Sequence, residues 1–153
     1  MRLTAGSRSS GAAAAICEDR LIAFYGTLRD AALRHSLGLT GRVRRLGRCR
    51  IEGILYDLGP YPALAEGKRV VHGELFEILD SGALAALDAF EEFDPGRPKL
   101  SAYVRERVPL IEPDRACWVY VYNRPLRGVP RVLGGDWLKH RGLRRHRPLT
   151  RPL

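Results

Sequence analysis

Two short segments carry the residues whose types and spacing fit catalysis. Residues 25–29 read Y-G-T-L-R and follow a short apolar run that predicts a buried strand. Glycine at a strand exit permits a sharp turn, and successive N–H groups of such a turn can face a carboxylate or an oxyanion. The second segment ends a predicted helix with Glu91 and Glu92. A carboxylate of raised pKa serves as general acid and base, although an adjacent pair is more commonly a solvated helix end.

The elements that must position these segments belong to one domain of ordinary composition. The chain has 153 residues, of which 45% are hydrophobic and 28% are charged, and this length supports a core without disulfides. No apolar run reaches the length of a transmembrane helix. Residues 11–17 have the composition of a secretory signal's centre, but Glu18, Asp19 and Arg20 stand where a small-residue cleavage site is needed. We therefore expect a cytoplasmic protein without a membrane partner.

Cysteine and glycine patterns give no support for a metal or a nucleotide cofactor. Cys17, Cys49 and Cys117 are odd in number and widely spaced, and the chain has no C-x-x-C pair. Zinc and a disulfide framework are therefore not expected. A Walker loop, a G-x-G-x-x-G fingerprint and a G-x-S-x-G elbow are also missing from the sequence. We expect no metal and no cofactor.

The net charge of +9 is concentrated outside the predicted domain. Residues 21–136 contain 17 basic and 15 acidic residues, whereas residues 137–153 contain six basic residues and no acidic one. This distribution argues against nucleic acid as a partner of the domain. Only the basic tail has the charge to attract nucleic acid or an anionic membrane, and such tails also serve as solubilising ends.

Alternating apolar residues and turn residues predict an α+β domain that is rich in strands. Helices are expected over Ala31–Leu37 and, after an N-cap at Asp80 or Ser81, over Ala83–Phe90. The expected strands are Leu21–Tyr25, Arg42–Arg50, Gly53–Leu58, Val70–Ile78, Tyr103–Leu110 and Ala116–Tyr122. The predicted architecture is a mixed or barrel-like sheet with short helices. Residues 1–20 form a flexible leader in this prediction, residues 21–138 the domain, and residues 139–153 a poorly ordered basic tail.

Five segments of the chain together resemble the gamma-glutamylcyclotransferase-like family. Residues 25–29 fit its Y-G-[ST]-L-[RK] signature, and residues 53–64 fit its G-x-L-Y-D-L-G-x-Y-P-A-L run. The V-x-G-E strand, the L-D-x-x-E…Y-x-R block and the G-D-W motif follow at residues 71–76, 87–105 and 135–137. The resemblance covers residues 21–138 in the family's order, so it is far more specific than any one motif.

The resemblance implies a small mixed β-barrel with short peripheral helices and a cavity at one end. It implies that Glu91 is the catalytic proton acceptor and donor. The substrate-binding residues that it implies are Tyr25, Gly26, Thr27, Leu28 and Tyr103. For Tyr103, a core aromatic on a strand is an equally good reading. Glu92 departs from the family pattern, because many relatives have glycine or another residue there.

The activity that the resemblance implies is cyclisation of a gamma-glutamyl amine or peptide to 5-oxoproline, with release of the free amine. The partner would then be a small gamma-glutamyl substrate. The alternative is a non-catalytic module that binds a gamma-glutamyl ligand, although a pure binder gains little from a buried carboxylate. The sequence does not specify which gamma-glutamyl compound is used, nor the oligomeric state.

Overall fold

The computed structural model describes residues 15–146 of the chain. This part contains five strands and three short helices, joined by turns and loops. The strands are β1 (Leu21–Phe24), β2 (Val43–Asp57), β3 (Pro62–Ile78), β4 (Tyr103–Glu112) and β5 (Ala116–Tyr122). The helices are α1 (Ala31–Ser36), α2 (Ser81–Phe90) and α3 (Trp137–His146). Single 3₁₀ turns lie at Glu18–Arg20, Thr27–Arg29 and Pro98–Leu100.

The strands close into one barrel in the order β1-β3-β2-β4-β5. Its last seam pairs β5 with β1 in parallel, through Ile22 and Trp118, and the other pairs are antiparallel. The long hairpin of β2 and β3 runs from the Val43–Ile78 pair to the Asp57–Pro62 pair. The predicted small mixed barrel with short peripheral helices is therefore confirmed.

The hairpin also corrects the strand boundaries expected from the sequence. The two strands predicted on either side of residues 51–52 form the single strand β2, and β3 begins at Pro62 rather than at Val70. Register shifts between Arg45 and Gly47 and between Gly53 and Ile54 interrupt the pairing without ending it. Such irregularities bend a strand and increase its twist, as closure of a five-stranded barrel requires.

Helix α2 packs on the barrel next to the strands that carry the predicted site. Its N-cap is Asp80, whose carboxylate accepts a 2.9 Å hydrogen bond from the Ala83 N–H. Ala83 and Leu87 are fully buried and join a hydrophobic cluster with Phe24 and Phe76. This apolar face fixes where the C-terminal end of α2 meets the barrel.

At both ends of the described chain, residues that the sequence places outside the domain have ordered structure. Glu18 accepts hydrogen bonds from Arg115 Nε at 3.0 Å and from the Ala116 N–H at 2.8 Å, so residues assigned to the leader pack against β5. Residues 140–146, expected to be poorly ordered, belong to α3, because Trp137 is fully buried and anchors the helix. The remaining leader and tail residues, 1–14 and 147–153, lie outside the described residues. Among the described helices, none is long and apolar enough to span a bilayer.

Candidate active site

A cavity of about 360 Å³ opens where β1 ends, beside the C-terminal end of α2. Its volume lies within the usual range for small-molecule sites. All six residues predicted for the site line it: Tyr25, Gly26, Thr27, Leu28, Glu91 and Tyr103. The other lining residues are Ala23, Phe24, Leu33, Tyr61, Pro62, Phe90, Glu92, Ala102, Tyr120 and Tyr122. The wall is therefore largely apolar and aromatic, with two carboxylates.

The Y-G-T-L turn forms one side of the cavity and has little room to move. A Cβ atom on Gly26 would lie 2.8 Å from Cγ of Pro62, so only glycine permits this approach of turn and strand. The Tyr25 hydroxyl donates a 2.6 Å hydrogen bond to the main-chain carbonyl of Tyr120. Leu28 is 3% exposed and anchors the 3₁₀ turn in the core. The turn is thus presented to the cavity as a fixed surface.

Arg29, the last residue of the same motif, stabilises the turn through a network of ion pairs with Glu74 and Asp136. Its Nε lies 2.9 Å from a Glu74 carboxylate oxygen, and its Nη1 lies 3.1 Å from Oδ1 of Asp136. Arg45 contacts the second Glu74 oxygen at 2.8 Å. Burial alone would raise the pKa of Glu74, but hydrogen bonds from Arg45 and Arg29 lower it. The sequence reasoning gave these residues no role, although Glu74 and Asp136 stand in the V-x-G-E and G-D-W motifs.

Glu91 caps the C-terminus of α2 and lines the cavity. Its N–H donates to the Leu87 carbonyl at 2.9 Å, which fixes the backbone in the last helical turn. Among residues 15–142, whose side chains the structure describes, none forms a hydrogen bond or ion pair with its carboxylate. Burial, followed by the neighbouring charge of Glu92, raises the pKa of Glu91 to about 7. A carboxyl of this pKa can accept and return a proton near neutrality.

Glu92 adopts a left-handed backbone conformation with φ of 55°. The Phe93 N–H donates to the Asp88 carbonyl at 2.8 Å and the Glu92 N–H to the Ala89 carbonyl at 3.2 Å. These two bonds form a Schellman motif, in which glycine usually occupies the position of Glu92. The helix ends at Phe90, and the reversal of the chain lets both glutamates line the cavity.

A buried ion pair fixes α2 directly below Glu91. Arg105 donates from Nε and Nη2 to the two Asp88 oxygens at 2.8 and 3.1 Å, and the Tyr120 hydroxyl donates to Oδ1 at 2.6 Å. The guanidinium also lies 4.5 Å from the Trp118 ring centroid. Burial alone would lower the pKa of Arg105, but the hydrogen bond that it donates to Asp88 and the charge of Asp88 raise it. Sequence reasoning missed this network, whose only signal was the Asp and Arg of the L-D-x-x-E…Y-x-R block.

Tyr103 is a buried strand aromatic that also lines the cavity. It is 7% exposed, and its ring packs edge-on against Tyr122 with centroids 5.1 Å apart. Its hydroxyl donates to the Pro62 carbonyl at 2.8 Å, and it also lines the cavity. Burial, followed by the charge of Glu91, raises the pKa values of Tyr25 and Tyr103 above the ordinary range. Both phenols are therefore neutral at physiological pH.

Fold and cavity together define a small single-barrel protein with one end cavity suited to a small molecule. Residues 22–139 match the family described as gamma-glutamyl cyclotransferase, AIG2-like. The chain is 38% identical over 115 residues to the gamma-glutamylcyclotransferase family protein ytfP of Citrobacter rodentium, across 74% of this chain and 91% of the relative. The chain therefore belongs to the gamma-glutamyl cyclotransferase, AIG2-like family.

Solved structures of similar proteins share the barrel. The solution structure of protein ytfP from Escherichia coli superposes with a TM-score of 0.60 and 34% identity, across 79% of this chain and 98% of that one. The crystal structure of protein PH0828 from Pyrococcus horikoshii gives a TM-score of 0.63 and 25% identity, across 84% and 98% of the two chains. The same fold thus extends to a relative of considerably lower sequence identity.

Proposed function

We propose that this protein cyclises a gamma-glutamyl amine or peptide to 5-oxoproline and releases the free amine. The observation that carries the proposal is the position of Glu91, whose unpaired carboxylate of raised pKa shares one cavity with the Y-G-T-L turn. Membership of the gamma-glutamyl cyclotransferase, AIG2-like family supports the same reaction. Fold alone would not establish it, because one fold hosts many chemistries.

The reaction needs a proton acceptor that later becomes a donor. The α-amine of a gamma-glutamyl compound is largely protonated near neutrality, and only its neutral form attacks the γ-carbonyl carbon. Glu91 takes the proton from the ammonium, and the nitrogen then forms the new C–N bond of a five-membered ring. Glu91 passes this proton to the leaving nitrogen as its bond to carbon breaks, and the second proton that the ring nitrogen loses converts the freed amine to its ammonium form. Atoms and charges balance without water, because one amide replaces another within the same molecule.

The Y-G-T-L turn supplies the positioning that an intramolecular attack requires. Backbone N–H groups of Gly26, Thr27 and Leu28 are suited to the substrate's α-carboxylate or to the oxyanion that develops on the γ-carbonyl oxygen. Holding the glutamyl chain folded brings amine and carbonyl together before the reaction, which recovers much of the entropic part of the barrier. Tyr103 and Tyr25, both neutral, complete the cavity wall beside the proposed base.

A binding module for a gamma-glutamyl ligand is the competing function. It would need the same cavity and the same turn, but it would leave the ligand intact. The raised pKa of Glu91 speaks against it, because partial burial of a carboxylate costs stability that binding alone does not explain. The free thiols of Cys49 and Cys117 are in keeping with a cytoplasmic location, where thiols stay reduced.

The proposal is tested by incubating the purified protein with gamma-glutamyl amines, gamma-glutamyl amino acids and glutathione. Mass spectrometry then follows 5-oxoproline together with the freed amine. Equal amounts of both products, formed in proportion to enzyme, support cyclisation. A ligand that raises the melting temperature and is recovered intact after hours would favour the binding module instead.

A further inference from the structure

The cavity has a buried floor and an exposed mouth, and the two differ in composition. Tyr25, Leu28, Tyr103 and Tyr120 are each less than 9% exposed and form the floor. Tyr61, Phe90 and Glu92 are exposed, with values of 47% for Tyr61 and 37% for Phe90, and they form the mouth. Since the turn and Glu91 hold the glutamyl half in the proposed function, the leaving group must extend towards this mouth.

The charged residues that line the cavity are of one sign. They are Glu91 and Glu92, and among residues 15–142, whose side chains the structure describes, no Lys, Arg or His lines it. A leaving group with its own carboxylate, as in an amino acid or a dipeptide, would meet two like charges and no cation. A neutral or positively charged leaving group would meet no such repulsion.

The mouth also carries the kinds of side chain that attract an ammonium group. Glu92 is exposed and lines the cavity from its left-handed backbone position directly after Glu91. The aromatic rings of Tyr61 and Phe90 line the same mouth. A carboxylate beside aromatic rings attracts a cation by charge pairing and through the ring quadrupoles.

We propose that Glu92 is a specificity-determining residue that selects gamma-glutamyl derivatives of diamines, whose second amine is protonated at the cavity mouth. The proposal rests on the cyclisation proposed above and names its substrate class. Glu92 holds the distal ammonium, the aromatic mouth covers the methylene chain, and the proximal nitrogen leaves beside Glu91. Glycine, the residue usual at such a helix end, would provide the same turn without this charge.

The test compares three substrates of matched length, the gamma-glutamyl derivatives of cadaverine, hexylamine and ε-aminohexanoate. Their distal groups are an ammonium, a methyl and a carboxylate on the same methylene chain. For the wild-type protein we expect kcat/KM for the cadaverine derivative to exceed that for the hexylamine derivative about tenfold. The aminohexanoate derivative should be the poorest of the three.

Glu92→Gln should reduce the cadaverine-to-hexylamine ratio to about one. The ratio within one variant cancels any effect of the substitution on Glu91, because both substrates use the same base. Glu52→Gln removes an exposed carboxylate of β2 that does not line the cavity, and it should leave the ratio unchanged.

Two results would overturn the role of Glu92 while cyclisation stands: equal wild-type rates with cadaverine and hexylamine derivatives, or a cadaverine preference that survives Glu92→Gln. Formation of 5-oxoproline from gamma-glutamyl amino acids alone would also overturn it. Absence of 5-oxoproline from every compound would overturn the proposed function itself, and the substrate class with it.

Discussion

Arg105 on β4 donates hydrogen bonds from Nε and Nη2 to the two carboxylate oxygens of Asp88 on α2, at 2.8 and 3.1 Å. The pair lies one helical turn before Glu91 and is largely buried, with side-chain exposures of 14% and 11%. The Tyr120 hydroxyl donates to the same carboxylate, and the Tyr120 carbonyl accepts the hydrogen bond of Tyr25. Tyr120 on β5 therefore connects the Y-G-T-L turn with the helix that carries the proposed base.

Asp88→Asn should destabilise the protein by about 2–4 kcal/mol, because it leaves the buried Arg105 guanidinium without a counter-charge. Urea unfolding at neutral pH measures the loss. The control is Glu112→Gln, which removes the partner of Arg50 in an ion pair that is 47% and 65% exposed. That variant should lose less than about 1 kcal/mol. Equal losses of unfolding free energy in the two variants would show that the Asp88–Arg105 pair stabilises the fold no more than an exposed ion pair does.

Gly26→Ala should damage the substrate turn. The new methyl group would lie 2.8 Å from Cγ of Pro62, so the turn or the strand must move. We expect kcat/KM to fall at least about tenfold and the free energy of unfolding to fall by about 1–3 kcal/mol. Gly142→Ala in α3 is the matched control, since its Cβ would meet no atom within 4 Å. It should gain up to about 1 kcal/mol in helix propensity, and a Gly26→Ala protein with wild-type kinetics would contradict the account.

The stability advantage of Glu91→Gln over wild type should be larger at alkaline pH than at acidic pH. The Glu91 pKa is about 7 in the folded state and 4.5 in the unfolded state, so folded protein holds the proton more tightly. The contribution of Glu91 to wild-type stability therefore falls as pH rises from 4.5 to 7, and a glutamine lacks this titration. The advantage of the variant should grow by about 1–3 kcal/mol over that window.

Urea unfolding of both proteins on either side of this window measures the difference. Other titrating groups cancel, because they are common to both chains. Glu52→Gln, with its exposed carboxylate, should show a difference that is flat with pH. The raised pKa of Glu91 would be refuted by an equally flat difference for Glu91→Gln.

The acid limb of kcat/KM should lie near pH 7, because protonated Glu91 cannot accept a proton. Glu92→Gln should move this limb to lower pH, since the Glu92 charge contributes to the raised pKa. The profile is best measured with the hexylamine derivative, whose tail carries no charge to interact with residue 92. An acid limb that stays in place in Glu92→Gln would remove Glu92 as a cause of the raised pKa.

The sequence predicted the barrel class, α1 and α2, an N-cap at Asp80 or Ser81, and six of the residues that line the cavity. These features depend on local patterns and on motifs that can be read in order along the chain. Helix α3 was not predicted because the basic residues after Trp137 suggest a poorly ordered tail. The burial of Trp137, which anchors the helix, is a tertiary contact that local patterns do not show.

The site's supporting contacts could not be read from local patterns. Asp88 and Arg105 are 17 residues apart, and Arg29 and Asp136 are 107 residues apart. Only closure of the barrel brings such residues together. The left-handed conformation of Glu92 could not be read from the sequence either, because residues other than glycine rarely adopt it. The local geometry of the two glutamates therefore needed the structure.

The central claim is that Glu91 moves the proton during cyclisation. The most direct measurement is the rate of 5-oxoproline formation from one gamma-glutamyl amine by wild type, Glu91→Gln and Glu92→Gln at equal concentration. The account predicts a loss of at least about a hundredfold in Glu91→Gln, with a melting temperature no lower than wild type, while Glu92→Gln keeps turnover of the hexylamine derivative. Wild-type turnover in Glu91→Gln would contradict the account.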